Sequence, residues 1–368
     1  MTGGLVPKNG NFILAMTSVG SGIRGGYFVE SLQEKQLSLT TLRMRIHFYM
    51  PENCLPPLEE RAGWLSGEPS HLMQSGKAAC VQCWIYLTFL RLSNEGFEVN
   101  ICHQIPEEGV VVALTGNLLP NFRPSEGVFL VGVVADGTPH PACHFHILQN
   151  GIHARRLPNS AYIPLWPQPG LVPRDPYRTN TFENIYFYGD HPNLAPELRD
   201  PSFARLLKNR LGMDLVIAGS DCWHDYSQAD CVLAVRTFRH ARFLRKPATK
   251  LYNSWIAGVP FIGGGDSAFY ADGRPGIDYL KCTSVDDVVC ALEQLKNNLD
   301  FRCRMVEEGM ISSRRFTPGA IAEKWKNLLH STVSTKAPSY LLKPKIIRKI
   351  ESWNQRITVA YDRLKGGY

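Results

Sequence analysis

The 368-residue chain has no run approaching the roughly 18 consecutive apolar residues of a membrane-spanning helix. Its first residues show no basic stretch leading into an apolar core and a small-residue cleavage site. It has no short-period repeat, which excludes solenoids and propellers. It has little excess charge: 40 Lys and Arg against 33 Asp and Glu leave +7. That is too mild to demand nucleic acid, but it suits an anionic substrate or a loose membrane-surface contact. Cysteine pairing is scarce as well. Of ten cysteines, only Cys80 and Cys83 form a C-x-x-C, inside an apolar helical stretch and without a second pair at zinc spacing. The expectation is buried, reduced thiols, a cytoplasmic setting and no bound metal.

What is present is globular. A 44% hydrophobic and 20% charged composition can fill a core. A chain of this length suits two cores rather than one. Residues 1–40 differ from the rest, being rich in Gly, Ser and Thr, and read as a flexible leader. They include Gly20-Ser-Gly22-Ile-Arg-Gly25, literally G-x-G-x-x-G. A dinucleotide site needs a strand before it, a helix after it and an acid about 20 positions on. Phe12–Met16, Tyr27–Glu34 and Glu52 meet these conditions weakly. An NAD(P)-dependent enzyme is therefore kept as an alternative.

From Arg43 an α/β alternation sets in. Strands are predicted at 44–50, 97–102, 110–114, 128–135 and 145–148, with a helix over 75–93. The runs at 110–114, 128–135 and 145–148 are almost wholly apolar, as in parallel strands buried on both faces. Six prolines between Pro158 and Pro176 mark an extended linker. The alternation then resumes. Strands are predicted at 184–188, 215–218, 231–235 and 259–262, and helices at 202–211, 249–257, 285–297, 301–312, 320–330 and 343–364. The fold class is α/β, with two Rossmann-like doubly wound domains facing a cleft. The domains run 41–165 and 179–330, joined by a linker at 166–178 and followed by a basic helical extension at 331–368.

The chemistry is sought beyond the carboxyl ends of the strands, where open α/β sheets bind ligands. After the strand at 231–235 comes a loop with Arg236, Arg239, Arg242, Arg245, Lys246 and Lys250. The helix from Thr249 adds free backbone N–H groups and a positive dipole end, which suit a diphosphate. Lys250 and Asn253 share one side of that helix, and Leu251 and Trp255 form its apolar side. Gly263, Gly264 and Gly265 admit close backbone approach, and Asp266 and Ser267 follow with a carboxylate and a hydroxyl.

Lys246–Ile262 resembles the donor-side signature of GT-B glycosyltransferases, family-4-like. That signature is a loop, a helix ending in small-Gly-x-Pro, and a buried strand. Ala229-Asp-Cys-Val-Leu-Ala-Val-Arg236 resembles the family's preceding strand, and Asn184–Gly189 the opening strand of its second domain. The resemblance spans about residues 43–330 and is specific over 229–270. It implies transfer of a sugar from a nucleotide-sugar donor, a co-substrate rather than a cofactor, without a metal. Lys250 would contact the diphosphate, Asn253 the ribose, and Asp266 and Ser267 phosphate or sugar, with Arg236 a second phosphate cation. The chain departs from the family where a pair of glutamates is common: Arg245 and Asn253 stand there. It also lacks the family's Arg/Lys pair after the opening strand of the second domain. A non-catalytic GT-B-like binding protein is therefore the other alternative, and stereochemistry stays open.

On the acceptor side, His103 and Asp136 follow their strands directly, and Asp136 is the candidate catalytic group. Its bland alternative is a turn aspartate before Gly137. His224, in the loop between two strands of the second domain, is a candidate donor-pocket residue. His140, His144, His146 and His153 invite a zinc reading, but no acidic or cysteine pattern completes a site. The terminal helix carries Lys343, Lys345, Arg348 and Lys349. It reads as a solvated charged face or as a contact with anionic lipid bearing a lipid-linked acceptor; the resemblance also implies a C-terminal helix crossing back to the first domain, either this one or that at 320–330.

Overall fold

The computed structural model describes residues 44–55, 80–239 and 241–365. The leader at 1–40, with Gly20, Gly22 and Gly25, lies outside them. Met44–Tyr368 form one compact unit. It holds two sheets, all of whose paired strands run parallel.

The first sheet has β1 (Ile46–Tyr49), β2 (Asn100–Cys102), β3 (Glu108–Leu114), β4 (Gly127–Val133), β5 (Phe145–Leu148) and β6 (Ser160–Tyr162), in the order β2-β1-β3-β4-β5-β6. The second has β7 (Asn184–Tyr188), β8 (Asp214–Ala218), β9 (Cys231–Ala234), β10 (Phe261–Gly263) and β11 (Leu280–Lys281), in the order β11-β10-β9-β7-β8. In each, strand order reverses beside the opening strand, between β1 and β3 and between β7 and β9. This is the doubly wound pattern, with crevices at those two points. The apolar strands β3, β4 and β5 are buried because both of their faces are covered.

Helices close both cores. Over 80–94 the chain is helical and buries Trp84, Ile85, Leu87 and Leu90. The Pro318–Ser331 helix starts on a Thr317 N-cap with Pro318 at its first position. In sequence this helix closed the 179–330 domain or crossed back to the first. It crosses back: Ile321, Ala322, Trp325 and Leu329 join Phe48, Val112 and Val131 in the core of the first sheet. An apolar stripe dictates that a helix is covered, not which sheet covers it. Burying a Trp such as Trp325 removes about 150–250 Å² from water, on the order of 4–6 kcal/mol.

The proline-rich segment also differs from an extended hinge. Trp166 is fully buried and donates to Thr88 Oγ1 at 2.9 Å, with Arg91 stacked 4.4 Å from its ring. Further on, Arg174 and Arg178 clasp Asp230, whose side chain is wholly buried. Asp230 also accepts from the Glu183 and Asn184 amides. Proline stiffens the segment, and one aromatic and two arginines pin it to each lobe. β6, which lies in this stretch, has no apolar run to announce it.

The histidines serve packing. His144 Nδ1 accepts from the Leu130 amide, His146 bonds the His140 carbonyl and Gln355, and His153 pairs with Asp362 at 2.9 Å. His146 and His153 thereby anchor the Lys345–Lys365 helix to the first lobe. All ten cysteines are free thiols. Burial pushes the Cys80 thiol up to about 11, so it stays protonated at neutral pH.

Candidate active site

The carboxyl edges of the two sheets meet in a seam. From the first lobe, β4 leads into Asp136, three residues past its end, and β5 directly into Gln149 and Asn150. From the second, the loop after β9 lies against them. Gln149 Nε2 donates to Asp136 Oδ1 and to the Arg245 carbonyl, each at 2.6 Å. Lys246 Nζ pairs with Asp136 Oδ2 at 2.8 Å. Asn150 Nδ2 donates to Ser267 Oγ at 2.9 Å and to the carbonyls of Lys246 and Phe243. Ala135 and Phe243, on opposite sides of this seam, have φ of 49° and 46°. Such left-handed geometry costs a non-glycine residue about 1–3 kcal/mol and gathers at working sites.

At the β7/β9 crevice three charged side chains converge. Arg236, the second residue after β9, donates from Nε to Asp266 Oδ2 at 2.8 Å and from Nη1 to Asn193 Oδ1 at 3.1 Å. Asp266 follows β10, is 2% exposed, and its Oδ1 has no hydrogen-bond partner among the described residues. Burial pushes its carboxyl up, against the pull of Arg236 and Lys250. Lys250, half-buried in the first turn of the Thr249–Ile256 helix, reaches over Gly189 at the end of β7. A Cβ there would lie 3.1 Å from both Cε and Nζ of the lysine, so only glycine leaves this space open. Among the described residues Lys250 forms no ion pair; its Nζ stands 5.5 Å from the Phe187 ring centroid. Desolvation, then Arg236, pushes it down from 10.5 to about 7; Asp266 and Asp136 pull the other way. The N-cap, Ala248, has no side chain to accept from the first turn of the helix.

Of the residues singled out in sequence, Asp136, Arg236, Lys250, Asp266 and Ser267 are brought together along this seam. Gly264 packs its backbone on Val235, where a Cβ would sit at 3.1 Å, while Gly265 faces open space. Asn253 does not join them. It is 4% exposed and its Oδ1 accepts from the Gln168 amide at 3.1 Å, so it ties the proline-rich segment to the helix. An eight-residue helix buried on several sides leaves one turn for a ligand, not a whole face. His224 sits where the β8–β9 loop pairs with that same segment, its carbonyl accepting from the Val172 amide at 2.8 Å. Arg239 and Arg242 point to solvent, and Arg236, Lys246 and Lys250 turn inward. Ser267 is already engaged by Asn150.

Sequence reasoning missed Gln149 and Asn150. The signal was present: two amide side chains directly after a buried strand, at the edge where ligands bind. It also missed Tyr162, whose hydroxyl donates to the buried Asp272 at 2.7 Å across the seam. A groove of about 990 Å³ lies elsewhere, at the amino ends of β4, β5 and β6, against the terminal helix. Its position at the opposite sheet edge separates it from this cluster.

No family model matches the chain, and no curated protein matches it. Among solved structures it is similar to a TarM variant from S. aureus in complex with fondaparinux, alpha-GlcNAc-glycerol and UDP. That match has a TM-score of 0.48 and 11% identity, over 67% of this chain and 58% of that one. The chain thus matches less than two thirds of the length of TarM. HepE from Anabaena, in complex with UDP and glucose, is similar at a TM-score of 0.45 and 10% identity, over 78% of this chain and 100% of that one. AviGT4, a glycosyltransferase involved in avilamycin A biosynthesis, is similar at a TM-score of 0.45 and 14% identity, over 71% and 91%.

Proposed function

We propose that the chain is a GT-B-type glycosyltransferase that moves a sugar from a nucleotide-sugar donor to an acceptor hydroxyl on a glycan, a lipid or a small molecule. One observation carries this reading: Lys250, an inward-turned cation without an ion-pair partner among the described residues, sits over a glycine at the crevice of the second sheet, beside Arg236. A desolvated ammonium is unfavourable until an anion arrives. A diphosphate supplies two negative groups at the spacing of neighbouring cations, and the first turn of the helix adds N–H donors.

In the reaction the bond from the sugar anomeric carbon to the diphosphate oxygen breaks and the bond to the acceptor oxygen forms. Negative charge grows on the departing phosphate, where Lys250 and Arg236 stabilise it, as preorganised cations do. These side chains take the part a divalent metal takes elsewhere, so no resident metal is invoked. The acceptor proton passes to a base. Asp136 already accepts from Lys246 and Gln149, so its role is to hold the seam, and a departing phosphate oxygen takes the proton.

The test is a thermal-shift panel of UDP-, GDP- and ADP-sugars, followed by assay of nucleoside diphosphate release with and without EDTA. One nucleotide sugar is expected to raise the melting temperature, since it binds the folded chain alone. Slow release that persists in EDTA is expected. Binding without any release would leave a non-catalytic donor-binding protein; no shift with any nucleotide would end the proposal.

A further inference from the structure

For the Lys345–Lys365 helix the sequence left open a solvated charged face, a return to the first domain and a contact with anionic lipid. Its outward face is apolar. Ile346, Ile350, Trp353, Ile357 and Leu364 are 64%, 50%, 64%, 49% and 85% exposed. At about 100° per residue they fall within a stripe roughly 60° wide. The stripe lies opposite Gln355 and Val359, which face the protein at 9% and 1% exposure. Along one flank runs a row of cations, Lys345, Lys349, Arg356 and Arg363, all on the same side by the same count. Among the described residues Lys349 and Arg356 form no ion pair. The row borders the 990 Å³ groove, whose rim adds Arg123, Lys336 and Lys343. The two acids there, Glu126 and Glu351, are already paired with Lys345 and Lys343.

We infer that this face docks on an anionic phospholipid bilayer, with the helix lying in the interface, the stripe among the acyl chains and the cations at the headgroups. A helix with an apolar stripe, an exposed Trp and a basic flank is what such a surface recognises. Charge selects the occupant. The stripe has the spacing of a coiled-coil seam. A second copy of the chain, however, would bring a helix with six Lys and Arg against two acids onto an identical one. Like charges along the seam oppose that pairing, whereas a negative bilayer satisfies them. The inference is independent of the donor-site reading.

The experiment is flotation of the full chain with vesicles of phosphatidylcholine, alone or mixed with phosphatidylglycerol. Native protein is expected to float with the mixed vesicles and not with the neutral ones. Lys349→Glu/Arg356→Glu should lower partitioning at least about 25-fold, at roughly fivefold per cation. Ile350→Ser/Trp353→Ser/Ile357→Ser should lower it about tenfold or more. These positions are exposed, so circular dichroism should be unchanged, and both variants should keep the nucleotide-sugar thermal shift. Equal flotation with neutral vesicles, no flotation at all, or variants that float like the native chain would overturn the inference. So would a concentration-dependent dimer that Trp353→Ser dissociates, because the face would then belong to a second copy.

Discussion

Replacing Lys250 by Met should move stability and donor affinity in opposite directions. The ammonium is pushed down from 10.5 to about 7 by burial and by Arg236, so the unliganded fold bears the strain of holding it charged. Taken whole, that displacement corresponds to on the order of 5 kcal/mol. The open side of the lysine screens part of it, which leaves about 1–3 kcal/mol. The sign follows from proton binding. Below pH 7 both folded and unfolded chains hold the proton, and the burden is full. Between about 7 and 10.5 the unfolded chain binds more protons, so native stability rises with pH and the burden fades. Lys250→Met removes it, fills much of the same volume, and should raise the urea midpoint at pH 6 with little gain near pH 10. Donor affinity should fall about 10- to 150-fold, the worth of one charge-assisted contact. Urea melts at both pH values, with nucleotide titrations of the same samples, provide the check. A variant less stable than the native chain at pH 6, or one with unchanged donor affinity, would refute the reasoning.

Asp272 is pushed up to about 6 by burial, in spite of the hydrogen bond from Tyr162. Its folded value lies above its unfolded one, so native stability falls as pH rises from about 4 to 6. Asp272→Asn should therefore stabilise by up to about 3 kcal/mol at pH 7 and by nothing at pH 4, as read by urea melts. Asp230 behaves in the opposite way. Burial raises its carboxyl, but the hydrogen bonds from Arg178, from the Glu183 and Asn184 amides and from Arg174 outweigh this and hold it low. Asp230→Asn leaves two arginines unpaired against the linker and should cost about 3–5 kcal/mol. A loss under about 1 kcal/mol in the same melts would show the clasp to be unimportant.

The elements most legible in sequence were those with unbroken local patterns. Phe145–Leu148, Asn184–Tyr188 and Val285–Asn297 occupy the predicted bounds, because an apolar run or a capped amphipathic stretch defines each by itself. β6 was not legible, since Ser160–Tyr162 is half-buried and flanked by prolines that read as linker. The destination of the Pro318–Ser331 helix and the outward face of the Lys345–Lys365 helix stayed open between alternatives for another reason. Periodicity tells which residues of a helix are alike, but tertiary contact decides whether the apolar or the polar stripe is covered. In the site, Arg236, Lys250 and Asp266 could be read because a basic loop, a helix start and a glycine-rich turn converge in sequence. Helical spacing put Asn253 beside Lys250, but could not show that its Oδ1 is taken by the Gln168 amide. Gln149 and Asn150 act through partners about a hundred positions away, a distance over which no local pattern speaks.

Among the described residues the chain passes between the lobes twice, once through residues 166–183 and again at Phe316–Thr317. The Pro318–Ser331 helix therefore completes the first lobe: Trp325 and Leu329 sit beside Phe48. A fragment ending in the proline-rich segment would lack a wall of its own core, which closes only once the Pro318–Ser331 helix has been made. Two strands of polypeptide spanning one gap also act like the two pins of a door. They set the line on which the lobes are joined, and the bonds of Gln149, Asn150, Lys246 and Tyr162 across the seam hold the lobes together along it.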